Sequence, residues 1–145
     1  MRYFYLIAVS VFSYAAFLSN SYAIDAEYNC DTNGNGKVST TSELSSGGWI
    51  SSGQIPINPQ TGKLNNDSIE EEVVQVFNNL EAVLSDNGKS LNDVKKFLVF
   101  LTDLSITPLV NAEIEKRLIE PFPARSTIQV VGLPMGSNVE VECLG

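Results

Sequence analysis

The sequence predicts an α+β sandwich, with two helices laid on one face of a mixed β-sheet. Three observations carry this. Apolar residues recur at helical spacing from Ile69 to Leu84. The last residues, Asn138 to Leu144, alternate with period two, placing Val139, Val141 and Cys143 on one face and Glu140 and Glu142 on the other. Between them, strand-like and helix-like stretches alternate in the order ββαβαββ, with no internal repeat or low-complexity tract.

Taken in order, residues 1–23 stand apart from the fold. Met1-Arg2 supplies a positive start, Tyr3 to Leu18 is almost entirely apolar, and Ser21-Tyr22-Ala23 is a small-x-small ending. This is the layout of a secretory signal peptide cleaved after Ala23. The apolar run is short of the roughly 20 residues a membrane span needs. The expected product is secreted or periplasmic, with no stable membrane anchor once the segment is removed. Residues 24–48 are polar and glycine-rich and read as an irregular lead-in; the folded domain is expected over 49–145.

Trp49-Ile50 opens a short strand, and Ile55 to Asn58 continues extended at an edge or bend, because Pro56 and Pro59 deny ladder donors. Ser68 followed by Glu71 forms a capping box for the first helix. Glu70, Glu71 and Glu72 favour its N-terminal dipole, and Asn87-Gly88 ends it. Val94 to Leu101 is a strand apolar on both faces and therefore central. Thr107-Pro108 starts a second helix, whose Leu109, Val110, Ile114 and Leu118, with the Arg117 stem, face the sheet. Pro121 and Pro123 close it, and strands follow over Thr127 to Val131 and Asn138 to Leu144, separated by the turn Pro134-Met135-Gly136.

Composition removes whole classes of chemistry. The chain has 145 residues, 43% apolar, and no histidine. Histidine-dependent nucleophilic triads, His-ligated zinc and imidazole acid–base steps are excluded. Its two cysteines cannot build a four-thiolate zinc site. A net charge of −8, one unit more negative after removal of Arg2 with the leader, disfavours docking on a nucleic-acid backbone. In an oxidising compartment Cys30 and Cys143 either pair or remain as a loose and a buried thiol. Asp31-x-Asn33-x-Asn35-Gly36 resembles the start of an EF-hand loop. Its twelfth position is Ser42, with Glu43 one place late, so a flexible Asn-Gly turn is the better reading and no metal site is expected.

Several separated motifs then stand in one order: Ser52-Gly53-Gln54-Ile55-Pro56, Asn58-Pro59-x-Thr61-Gly62, the glutamate-rich helix, Val99-Phe100-x-x-Asp103-Leu104, Val110-Asn111, Pro123-Ala124-Arg125-Ser126 and Val139-Glu140-Val141-Glu142. From about Trp49 onward the chain resembles the RidA/YjgF family of reactive enamine/imine deaminases. The resemblance implies a chorismate-mutase-like sandwich, a homotrimer with ligand clefts between subunits, and hydrolysis of 2-imino acids to 2-oxo acids and ammonia without a cofactor. It implies Arg125 and Glu140 as catalytic residues, with Ser52, Gly53, Asn111 and Thr127 binding substrate. Thr127 stands where many relatives carry cysteine.

Elementary chemistry is compatible with those roles. Guanidinium grips a carboxylate bidentately, which suits Arg125 as the anchor of a 2-imino acid. A carboxylate drawn partly out of water, Glu140, polarises an attacking water. Relatives also carry a Gly-Pro-Tyr-Ser-Gln stretch upstream of the first strand; this chain has Thr40-Thr41-Ser42-Glu43-Leu44 there, with no tyrosine. That departure keeps open a second function, a non-catalytic exported module binding small carboxylates such as 2-oxo acids.

Overall fold

The structure, a computed structural model, describes residues 41–44 and 47–145. The leader with its cleavage point, Cys30 and the Asp31–Gly36 turn lie outside the described residues.

Five strands form one mixed sheet in the order β1 (Thr41–Glu43), β2 (Trp49–Ser51), β5 (Val139–Leu144), β3 (Lys96–Leu101) and β4 (Ala124–Gln129). Only β3 and β4 run parallel; the other neighbours are antiparallel. Helices α1 (Ile69–Asp86) and α2 (Thr107–Arg117) complete the sandwich. Strand β3, flanked on both sides, is central as its two apolar faces predict.

One face of the sheet makes the core. Phe97, Val99 and Leu101 of β3 and Val139, Val141 and Cys143 of β5 pack with Val73, Val76, Phe77, Leu80 and Leu84 of α1 and with Val110 and Ile114 of α2. The opposite parity, Leu98 and Phe100 beside Glu140, Glu142, Ser126 and Ile128, lies on the face away from the helices.

Helix α1 begins at Ser68 with one half of the expected capping box. Ser68 Oγ accepts from the Glu71 N–H at 3.1 Å. It ends in a Schellman pair, Lys89 N–H to Leu84 O and Gly88 N–H to Ser85 O, with Gly88 at φ 68°. Glu72 departs from the expected dipole role. It is buried, and its carboxylate accepts from both the backbone N–H and the side-chain Nδ2 of Asn138, each at 2.8 Å. The first turn of α1 is thereby tied to the residue before β5. Between the helices, Arg117 does more than cover the sheet with its stem. It meets Glu113, Glu81 and Asn78 and lies over the Phe77 ring.

Three expectations are corrected. The lead-in is not wholly irregular, because β1 falls within it and pairs Ser42 with Ile50. This edge strand has an exposed, polar Thr-Ser-Glu sequence and so carries no alternation to read. The second opening strand, Ile55 to Asn58, is reduced to bridges between Gln54 and Val141 and between Ile57 and Leu64. Its two prolines remove the donors a ladder needs. Finally, β4 starts at Ala124 rather than Thr127 and stops at Gln129 rather than Val131. Pairing begins at once after Pro123, with Ala124 N–H on Lys95 O, and stops where its partner β3 ends.

Candidate active site

Strand β2 carries the first part of the site. Ile50 pairs with Leu144 and Gln54 with Val141, so four steps on one strand oppose three on the other. The extra residue is a β-bulge spanning Ser51 to Gly53, a device that bends a strand and re-aims its next side chains. The bulge presses Gly53 onto Glu140. A Cβ on residue 53 would lie 2.8 Å from the Glu140 Cδ, and closer still to Oε1. Glycine is required here for space, since no larger residue leaves that carboxylate in place. Glu140 itself is only 6% exposed.

Two anchors hold the bulge. Gln54 exchanges both backbone hydrogen bonds with Val141, at 2.8 and 3.0 Å. Asn79 of α1 donates its Nδ2 to the carbonyls of Ile55 and Ile57. The Gln54 side chain is fully buried and turns back on Ser52, donating Nε2 to the Ser52 carbonyl at 3.2 Å and to its Oγ at 3.0 Å. Ser52, Gly53 and Glu140 therefore form one group.

Arg125, Asn111 and Thr127 form another. Parallel register sets Arg125 beside Phe97 and Thr127 beside Val99, so both project from β4 on the helix side. Arg125 is exposed at the sheet edge, and its Nη1 donates to Oδ1 of Asn111 from α2. Arg125 thus sits inside β4, two residues after Pro123. The Thr127 Oγ1 is shielded from solvent and has no hydrogen-bond partner among the described residues.

Within one chain the two groups are apart. Glu140 is in register with Phe100 on the face away from the helices, whereas Arg125 is in register with Phe97 on the helix side. They stand roughly 10 Å apart along the strands and about 10 Å across two strand spacings, with the sheet between them. No single small substrate spans that gap.

The neighbouring titratable groups are governed by burial. Glu142, two residues beyond Glu140 on the same face, has its carboxyl raised above the ordinary range by desolvation and then by the Glu140 charge. Cys143 is free and buried, with its thiol pushed up to about 11 mainly by desolvation. It lies 3.5 Å from Ser51 Oγ, which accepts from the Cys143 N–H. Of the two cysteine readings, Cys143 takes the buried-thiol role. Glu43, late in the calcium-like motif, lies in β1 and pairs with Lys89 at 2.8 Å. Among the described residues no group of three or more acidic or thiol side chains is placed to hold a metal ion. None of the described helices is long and apolar enough to cross a membrane.

Gln54 and Glu72 are the residues to which sequence reasoning gave no such part. A glutamine between a Ser-Gly pair and Ile-Pro was the available signal for the first. Glu72 gave none, because a glutamate in a first helical turn has a sufficient reason to be there.

Comparison with known proteins bears on the family and the fold. Residues 42–145 match the family described as Endoribonuclease L-PSP. The 2-iminobutanoate/2-iminopropanoate deaminase of Escherichia coli K12 is 37% identical over 98 residues, covering 66% of this chain and 76% of that protein. The chloroplastic Reactive Intermediate Deaminase A of Arabidopsis thaliana is 37% identical over 93 residues, covering 64% of this chain and half of that protein. Among solved structures, RidA from an Antarctic Psychrobacter superposes with a TM-score of 0.67 at 38% identity, covering 72% of this chain and 84% of that one. The YjgF gene product of E. coli gives 0.66 at 34% identity, covering 73% and 84%. With this fold and these motifs, the chain belongs to the RidA/YjgF family and has its chorismate-mutase-like architecture.

Proposed function

We propose that this protein hydrolyses reactive 2-imino acids and their enamine tautomers to 2-oxo acids and ammonia. The observation that carries the reading is Arg125, an exposed guanidinium on a rigid edge strand, oriented by a carboxamide, in a family whose relatives are named imine deaminases. Arg125 holds the substrate carboxylate with two parallel hydrogen bonds. Glu140, buried against the Gly53 backbone, takes a proton from water as the water oxygen adds to the imine carbon. Glu140 passes that proton on to the nitrogen; the carbon–nitrogen bond then breaks with its bonding pair leaving on nitrogen, and the hydroxyl gives up its own proton, the second that the nitrogen takes to become ammonia, as it collapses to the 2-oxo carbonyl. Imines hydrolyse readily unaided, so placing the water and the carboxylate supplies most of what is needed.

Because Arg125 and Glu140 lie on opposite sides of one sheet, we assign the working site to a cleft between copies, in a homotrimer. Arg125, Asn111 and Thr127 come from one copy, and Ser52, Gly53 and Glu140 from the next. The open sheet face supports this, since it presents Leu98, Phe100 and Ile128, the last 45% exposed in the single chain. The acidic charge speaks against a nuclease role despite the family's description. The leader-like residues 1–23 support export, which mass measurement of the processed N-terminus checks: it begins at Ile24.

The assay is competition with semicarbazide for 2-imino acids generated by an amino-acid oxidase. The protein lowers semicarbazone yield, and Arg125→Ala abolishes that effect. A yield unchanged from the protein-free level with several imino acids overturns the deaminase reading and leaves the exported carboxylate-binding module in its place.

A further inference from the structure

We infer that Glu72 is a positioning residue for Glu140: its carboxylate takes over the last rung of the β3–β5 ladder and so sets the course of β5 two residues before the reacting group. The inference rests on the water-activating part proposed above for Glu140. In a regular antiparallel ladder, residues facing each other as a hydrogen-bonded pair exchange both bonds. Asn138 faces Thr102 one step beyond the pair Leu101 and Val139, and the Thr102 N–H donates to Asn138 O at 3.1 Å. The return bond goes elsewhere. The Asn138 N–H donates to Glu72 Oε2 at 2.8 Å, and the Thr102 carbonyl accepts from Gln129 Nε2 at 3.2 Å. The Asn138 side chain repeats the pattern. Its Nδ2 donates to Glu72 Oε1 at 2.8 Å, while its Oδ1 accepts from Thr102 Oγ1 at 2.9 Å.

Stability alone is a poor reason for a glutamate at this place. Glu72 is 1% exposed, and among the described residues no cation pairs with it. Its two oxygens meet neutral donors of a single residue. A buried carboxylate loses its water, and a well-packed apolar side chain of the same size is often as stabilising or more so. What the carboxylate adds is direction, because two hydrogen bonds fix Asn138 to the first turn of α1. Glu140 then lies between two fixed points, Asn138 before it and Val141 after it, where Gln54 exchanges both main-chain bonds. Gly53 backs the Glu140 carboxyl group between them. Arg125 lies outside this frame, since the network meets β4 only at Gln129, the last residue of that strand. Glu72 therefore governs the water-activating carboxylate and not the grip on substrate.

The test separates kcat from KM for 2-iminobutanoate in Glu72→Met, which keeps the side-chain length and removes both acceptors, at a temperature where the variant is fully folded. kcat falls roughly tenfold, the scale of a reacting group displaced by a fraction of an ångström, while KM stays within about twofold. The carboxyl-carbon NMR signal of Glu140, identified by its absence from Glu140→Gln, moves in the methionine variant. Asn138→Ala, which drops the side-chain bond and keeps the main-chain one, gives a smaller loss of the same kind if Glu72→Met folds poorly. Unchanged kcat overturns the inference, as does a rise in KM that matches or exceeds the fall in kcat. The two readings fail separately. No turnover in the unmodified protein, with a Glu140 signal that moves in Glu72→Met, sinks only the deaminase. Turnover with an unmoved Glu140 signal sinks only the role of Glu72.

Discussion

At residue 53 a hydrogen atom is the largest substituent the site accepts. Alanine there brings its methyl into the Glu140 carboxyl group, the mobile end of a side chain, so the chain gives way by rotating Glu140. The fold survives this and the chemistry does not. Gly53→Ala is expected to shift the unfolding midpoint little and to lower kcat by roughly tenfold to a hundredfold, the penalty of misplacing a reacting group by about 1 Å. Unchanged kcat in that variant removes Glu140 from the mechanism. Arg125 poses the complementary question of geometry against charge. Arg125→Lys keeps the charge but loses the planar fork that a carboxylate and Asn111 share. Its kcat/KM is expected to fall by about tenfold or more, because hydrogen bonds between charged groups contribute about 1.5–3 kcal/mol each. A lysine variant with native kcat/KM shows that charge alone holds the substrate.

Elements test a different balance, since two residues in one helical turn do different work. Ser68 caps α1 from its exposed end, whereas Glu72 reaches from that turn into the protein to hold Asn138. Ser68→Ala is expected to cost about 1 kcal/mol. Glu72→Ala strands two half-buried donors of Asn138 and is expected to cost more, about 2–3 kcal/mol. Urea unfolding of both variants checks the order. On β5, Glu142 is a carboxylate whose folded-state pKa lies above its unfolded value. The protonated form is therefore the one folding prefers, and stability is lost as pH rises through that raised pKa. Glu142→Gln is expected to stabilise modestly at neutral pH, with the gain vanishing well below pH 4.5, where both states are protonated. A gain that persists at low pH assigns the effect to packing. These elements also mark how far the sequence alone was legible. α1, β3 and β5 bury regular apolar stripes and were readable to within a residue or two at most ends. β1 was not, because neither of its faces buries an apolar stripe and its pairing depends on the neighbouring strand. The candidate site residues were nameable only as what the family resemblance implies, and their division between two sides of a sheet was not legible. Strand order is a property of nonlocal pairing, and the inserted bulge residue at Ser51–Gly53 emerges only when the partner β5 is known.

For the whole molecule, that division makes the strongest demand. If Arg125 of one copy and Glu140 of the next complete each site, neither residue has to be intact on the same chain. Arg125→Ala still carries Glu140, and Glu140→Ala still carries Arg125, although each assembled alone has no complete site. In a closed ring every copy supplies one group to the site on one side and the other group to the site on the other. When the two inactive variants are unfolded, mixed in equal amounts and refolded together, a site is complete only if it takes its arginine from one variant and its glutamate from the other. Random assembly makes this true for about a quarter of all sites. Activity of the mixture should therefore return to about a quarter of the unmodified level, while each variant refolded alone stays inactive. Mass measured by light scattering should report the same oligomer in all three preparations. A mixture as inactive as its parents, with the oligomer intact, places both residues in the service of one chain's own site. The separation of Arg125 and Glu140 across the sheet makes that outcome incompatible with a single substrate touching both.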